Sequence, residues 1–170
     1  MRWICRSGNK VEALAMTKAT NPFRRQVTIE WGDCDPAGIV YYPRYFAMFD
    51  TSTAHLFEAA LGCKKRDMLR RFDIVGFPMV DTRATFLVPS RFGDIVTIES
   101  HLTAFHRSSF EVSHKLLAAD GRVAVEAVEK RVWAAVHPDD PDRIKGRAVP
   151  QEVIDAFSAN KISHQEGNGQ

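Results

Sequence analysis

Two aspartates separated by a single residue, Asp33 and Asp35, lie near the start of the stretch EWGDCDPAGIVYYPRYFAMFD, residues 30–50. Carboxylates serve as general bases and nucleophiles in much hydrolytic chemistry. These two run directly into Pro-Ala-Gly and then into aromatic and apolar residues. An unpaired charge is costly to bury, so a carboxylate set against so much apolar surface needs a reason. Aspartate is also a common turn former. That reading suits Asp33, whose side chain is expected to bond loop backbone and fix the turn. The role of Asp35 depends on what the rest of the chain builds around it.

Other routes to catalysis are missing from the sequence. It has no G-x-S-x-G elbow, no H-E-x-x-H pair, no phosphate-binding loop and no dinucleotide glycine fingerprint. Cys5, Cys34 and Cys63 are widely spaced, with no C-x-x-C, so neither a zinc site nor a disulfide framework is indicated. Reduced thiols in a cytoplasm are the default expectation. His137 with Asp139, Asp140 and Asp142 superficially resembles a metal-ligand set. The interleaved Pro138 and Pro141 favour a loop after a strand. His55 reads as a core or interface histidine, and the basic run 64–71 as a solvated face. A net charge of +2 gives no case for nucleic-acid binding. No stretch approaches the roughly 20 apolar residues of a membrane span. Any catalysis therefore falls to carboxylates and backbone groups. The competing class is a non-catalytic ligand-binding or dimerisation module.

The chain has 170 residues, 45% of them hydrophobic, which suits one domain with a substantial core. Arg6, Lys10 and Glu12 interrupt the start as a signal peptide would not be interrupted. Residues 1–21 are expected to be a disordered extension, 22–158 a single domain, and 159–170 a flexible tail. FRRQVTIEW (23–31) alternates apolar and polar residues as a strand does. Residues 43–62 carry apolar side chains at helical spacing, with Pro43 suited to the first turn and Gly62 to the stop. Residues 64–72 read as a short second helix. Strands are expected at 79–89, 94–105, 109–119 and 122–136, with turns at Gly93-Asp94 and Asp120-Gly121. HPDDPDR (137–143) is expected to end the sheet, and 150–159 to form a closing helix. One strand, one long helix and four consecutive strands give an α+β fold, an antiparallel sheet against a central helix. That helix is apolar over most of its girth, so the sheet must curl around it or a second subunit must cover it.

The string GDCDPAGIVYYPRY, with DIVGFPMV (73–80), GDIVTIES (93–100) and RSSF (107–110), resembles the hotdog-fold acyl-CoA thioesterases, and among them the 4-hydroxybenzoyl-CoA thioesterase family. The likeness spans roughly residues 24–150. It implies a hotdog fold and hydrolysis of an aryl-CoA, with 4-hydroxybenzoyl-CoA as the expected substrate. It implies Asp35 as nucleophile or general base, and the backbone N–H of Tyr42 as oxyanion donor, with Gly38 letting the loop turn tightly between them. It places Asp50 near the acyl group, where it can meet a phenolic hydroxyl. It also places Arg107, Ser108 and Ser109 at the nucleotide end of coenzyme A. No metal or cofactor is implied, coenzyme A entering as part of the substrate. Family members are dimers or tetramers with active sites at the subunit interface. The alternatives are a different acyl group, such as a short chain, or a hotdog protein that binds an acyl thioester without cleaving it.

Overall fold

The computed structural model describes residues 15–16 and 22–158. The expected N-terminal extension, Ala15–Met16 apart, and the expected C-terminal tail lie outside the described residues. The chain runs β1 (Ala15–Met16), β2 (Phe23–Thr28), a 3₁₀ turn (Trp31–Asp33), α1 (Tyr42–Leu61) and α2 (Lys65–Phe72). It continues through β3 (Met79–Phe86), β4 (Ile95–Phe105), β5 (Ser109–Leu117), β6 (Val123–Val132), β7 (Ala134–His137), β8 (Asp140–Gly146) and α3 (Gln151–Ser158). The main sheet is antiparallel, with β4, β5, β6 and β3 in that order. The outer edge of β4 is shared by β2, along residues 95–100, and β1, at Ala104 and Phe105. The β-formers and turns anticipated along 94–119 pair as an unbroken β4–β5 hairpin but for one register shift between Leu102 and Ala104.

The last expected strand differs. Residues 122–136 divide at Trp133, and HPDDPDR is not a plain loop but largely a second hairpin, β7–β8. The cause is the length of β3. Its pairing with β6 ends at Met79–Arg131, and Pro78 accepts the Val132 N–H at 3.0 Å. Beyond that point only an isolated bridge, Gly76 to Ala134, continues this pairing. Trp133 instead donates its N–H to Ser108 O and accepts the Arg147 N–H, which starts the new pair. Pro141 is tolerated because β8 is an edge strand.

Helix α1 lies against the sheet through Tyr45, Met48, Phe49, Ser52, Thr53, Leu56 and Phe57, a stripe at helical spacing. Its opposite side exposes Arg44, Ala47, Asp50 and Thr51. The helix stops at Gly62, whose φ of +66° is a left-handed cap that favours glycine.

The core has two apolar clusters. One, around Ile29, Val40, Phe49, Ile98, Leu116 and Val125, underlies the start of α1. The other, around Phe57, Phe77, Phe105, Phe110, Trp133 and Phe157, underlies its end. A belt of buried polar residues separates them: Ser52 and Thr53 from α1, Ser100 from β4, His114 from β5, and Glu129 and Arg131 from β6. Inward positions on each of these elements thus pass from apolar to polar and back.

Candidate active site

The acidic motif folds back on itself. Cys34 bridges to Val40, Asp35 donates its N–H to Ile39 O, and Asp33 O accepts the Tyr41 N–H at 2.8 Å. Val40 is tied to Ser90, whose own N–H is bonded to the buried Tyr45 hydroxyl. Asp35 and the first turn of α1 therefore belong to one closed loop anchored on the protein body. Gly38 closes it, donating to Asp35 O at a φ of +75° that favours glycine.

The two carboxylates do different work within this loop. Asp33 accepts the Glu30 N–H at 3.0 Å, so it fixes the 3₁₀ turn. Asp35 Oδ1 accepts the Ala37 N–H at 2.8 Å, leaving Oδ2 without a protein donor among the described residues. Asp35 is half-buried, so that oxygen has a partly desolvated setting. The N–H of Tyr42, at the start of α1, has no intrahelical acceptor and meets no other acceptor among the described residues. It sits at the positive end of the helix dipole. Pro43, next in sequence, has no N–H, so Tyr42 is the donor that the first turn presents.

Eight residues along α1, about 12 Å by helical rise, the Asp50 side chain is half exposed and receives Arg131 Nη1 at 2.6 Å. Arg131 is itself buried. Its Nη1 also reaches Phe77 O, and its Nε donates to Glu129 Oε2 at 2.9 Å. Glu129 Oε2 accepts from Thr53 and lies 3.3 Å from His114 Nε2, while His114 Nδ1 meets Ser100 Oγ at 2.9 Å. Burial raises the Glu129 pKa, but the bonds from His114 and Arg131 outweigh it and hold Glu129 below the ordinary carboxylate value. Burial lowers the Arg131 pKa, and here too the carboxylates win, raising it. None of these network residues except Asp50 stands out from sequence patterning by turn or motif. The available signal was register: Glu129 and Arg131 fall on inward positions of a strand, where polar side chains are exceptions.

Comparison with known proteins decides what this geometry belongs to. A family model described as the thioesterase-like superfamily matches residues 29–157. The chain belongs to that superfamily. The 4-hydroxybenzoyl-CoA thioesterase of Pseudomonas sp. strain CBS-3 is 33% identical over 138 residues, covering 78% of this chain and 95% of that protein. A solved aspartate-to-asparagine variant of 4-hydroxybenzoyl-CoA thioesterase, complexed with 4-hydroxybenzoyl-CoA, superposes with a TM-score of 0.74 at 31% identity, covering 81% and 99% of the two chains. A gentisyl-coenzyme A thioesterase, BH1999, gives a TM-score of 0.67 at 29% identity, covering 79% and 98%. The fold is the hotdog fold, and the chain is an acyl-CoA thioesterase.

The thioesterase keeps the remaining anticipated residues apart from this site. Arg107, Ser108 and Ser109 form the β4–β5 turn, where His106 N donates to Ser109 O. The motif loop sits at the other end of β4, where Ile29 N bonds Asp94 O. The length of β4, residues 95–105, separates the two ends by roughly 30 Å. Within one chain, Asp35 and the Arg107 turn are not brought together.

A cleft of about 230 Å³ opens at the C-terminal end of α1, lined by Phe23, His55, Glu58, Cys63 and Lys64 among others. Glu58 serves the structure there, accepting the Lys65 N–H at 2.7 Å as α2 begins and lying 3.2 Å from His55 Nδ1. His137 accepts the Asp139 N–H at the β7–β8 turn, and Asp140 accepts the Asp142 N–H within β8.

Proposed function

We propose that this thioesterase hydrolyses an aryl-CoA carrying a ring hydroxyl, with 4-hydroxybenzoyl-CoA as the leading substrate, to the acid and free coenzyme A. The observation that carries this reading is the closed loop joining the Asp35 carboxylate to the unpaired Tyr42 N–H. The thioester carbonyl oxygen takes a hydrogen bond from that N–H, which stabilises the oxyanion as it forms. The free oxygen of Asp35 then either attacks the carbonyl carbon, giving a mixed anhydride that water opens, or draws a proton from an attacking water. In both routes the carbon–sulfur bond breaks, and coenzyme A leaves as its thiol after protonation. Gly38 sets the loop shape that lets both groups face one carbonyl.

Asp50 favours the hydroxylated ring. An aspartate paired with a buried arginine acts as a hydrogen-bond acceptor and suits a phenolic hydroxyl better than an aliphatic chain. The names of the two relatives, 4-hydroxybenzoyl-CoA and gentisyl-coenzyme A thioesterases, point the same way. Arg107, Ser108 and Ser109 are assigned to the phosphates of coenzyme A. Their distance from Asp35 supports a homo-oligomer, a dimer or tetramer, in which one subunit supplies Asp35 and another the Arg107 turn. The reading calls for no metal or bound cofactor. A cytoplasmic location is part of it, supported by the free thiols Cys34 and Cys63.

The test follows thiol release from 4-hydroxybenzoyl-, benzoyl-, phenylacetyl- and aliphatic CoA thioesters. The hydroxylated aryl substrate is expected to be preferred, and Asp35→Asn to lower kcat by roughly 10²–10⁴-fold. A preference for aliphatic chains overturns the aryl assignment, and full activity of Asp35→Asn overturns the role of Asp35. Single-turnover hydrolysis in ¹⁸O-labelled water tests the first route: label in the Asp35 carboxylate establishes an anhydride that water opens at the Asp35 carbon, whereas opening at the acyl carbon, like the general-base route, puts the label in the acid.

A further inference from the structure

The buried polar belt between the two apolar clusters has a cost that the fold alone does not explain. A buried ion pair gains little over apolar side chains of the same volume, because both charges lose their water. Here Glu129 and Arg131 are deeply buried, and so are the Thr53, His114 and Ser100 side chains that bond Glu129 directly or through His114. Following the bonds outward, Asp50 is the only member of the six that reaches solvent, with 51% of its side chain exposed. The chain of bonds thus ends on the carboxylate assigned to the acyl pocket.

The geometry points to Arg131 as a positioning residue that holds Asp50 ready to accept a ring hydroxyl, and so sets the preference for hydroxylated aryl thioesters. This rests on the assignment of Asp50 under the proposed function. The guanidinium is fixed at three points. Nε goes to Glu129 Oε2, and Nη1 is shared by Phe77 O and Asp50 Oδ1. A rigid planar fork with three anchors cannot swing, and a lysine, as a single-point donor, cannot reproduce it. Glu129 is held in turn by Thr53 and His114, and the His114 ring stacks on Phe49, the residue preceding Asp50 on α1. The same network therefore grips the helix on both sides of Asp50.

Two consequences follow for the carboxylate. Its rotation is restricted before substrate arrives, so less ordering is needed on binding. Arg131 occupies Oδ1, and no donor among the described residues reaches Oδ2. That oxygen is free for a hydroxyl on the acyl ring. A hydrogen bond to a charged acceptor of this kind discriminates by roughly 10- to 100-fold against a ring lacking the hydroxyl.

The readout is the ratio of kcat/KM for 4-hydroxybenzoyl-CoA to that for benzoyl-CoA, measured on the full chain and on Asp50→Asn, Arg131→Lys and Arg131→Met. Asp50→Asn is expected to lose the preference. Arg131→Lys is expected to lower the ratio about tenfold, chiefly through a higher KM for the hydroxylated substrate, and Arg131→Met to lower it further. A wild-type chain without a preference, or an Asp50→Asn chain that keeps it, removes Asp50 from the acyl pocket and overturns the inference with that reading. If Asp50→Asn loses the preference while folded Arg131 variants keep it, the reading stands and the inference alone is overturned. The unmutated chain gives a second measurement that does not depend on the variants folding. With ¹⁵N-labelled arginine, the Arg131 guanidinium resonance is expected to move on adding 4-hydroxybenzoate and to stay in place with benzoate. An unmoved signal at 4-hydroxybenzoate concentrations that inhibit turnover also overturns it.

Discussion

Asp35 has a structural task in its loop and, under the proposed mechanism, a chemical one, and substitution can part them. Its Oδ1 accepts the Ala37 N–H, a turn contact that an asparagine oxygen also makes. Asp35→Asn should therefore fold with near wild-type stability while losing turnover, whereas an alanine would remove the turn contact as well. Gly38 tests the loop from the other direction. Nothing lies within 4 Å of where its Cβ would stand, so Gly38→Ala strains only the backbone at φ +75°. That strain is about 1–2 kcal/mol, which lowers Tm by roughly 2–8 °C for a chain of this size. Thermal unfolding checks the stability loss, and thiol release is expected to fall more than that loss explains, because the loop sets Asp35 against Tyr42. A Gly38→Ala chain with unchanged turnover would separate the loop shape from the chemistry. The turn-fixing role of Asp33 was legible in the sequence, since turn chemistry is local. Arg131 was not, because its meaning comes from Asp50, 81 residues away in the chain.

Local pattern accounts well for the elements and poorly for where they change partners. The α1 stripe, its Gly62 cap and the alternation in β4 and β5 were visible because helix and strand periods are written into consecutive residues. The break at Trp133 was not, since it follows from β3 ending at Met79 on a different part of the chain. The same limit hid the polar belt, because Ser100, His114 and Glu129 become neighbours only when β4, β5 and β6 are in register. Strand β6 carries the belt's charge, and that gives it a pH signature. The Glu129 pKa is lowered in the folded protein, so its ionised form stabilises the fold above its ordinary value of 4.5. That contribution is lost as pH falls through the lowered folded value. Glu129→Gln leaves buried Arg131 without its buried counter-charge and is expected to cost about 3–5 kcal/mol at neutral pH. Its stability should then fall less steeply than the wild type's below pH 4.5. Urea unfolding at a series of pH values reads both effects, and parallel acid profiles would show that Glu129 does not carry the acid sensitivity.

At the scale of the molecule, the distance along β4 matters most. The Asp35 loop and the turn assigned to coenzyme A lie at opposite ends of an 11-residue strand, roughly 30 Å apart. One rigid chain brings the Arg107 turn to a substrate whose carbonyl sits at Asp35 only if the coenzyme A arm is extended along the length of β4. A second copy can do so, and exposed aromatic residues beside the loop, Trp31, Tyr41, Tyr42 and Phe92, offer apolar surface for it to cover. Such an arrangement makes a prediction that a self-contained site does not. A chain carrying Asp35→Asn and a chain carrying Arg107→Ala are each impaired at every site they form alone. Unfolded together and refolded as a mixture, half of the resulting dimers are hybrids. If each site takes Asp35 from one subunit and Arg107 from its partner, each hybrid has one site with both residues intact and one with neither. An equal mixture should then recover about a quarter of the wild-type kcat/KM. If both residues act from the same chain, every site in every hybrid carries one defect, and mixing recovers nothing. The recovered activity therefore reports whether the gap along β4 is bridged by a second subunit.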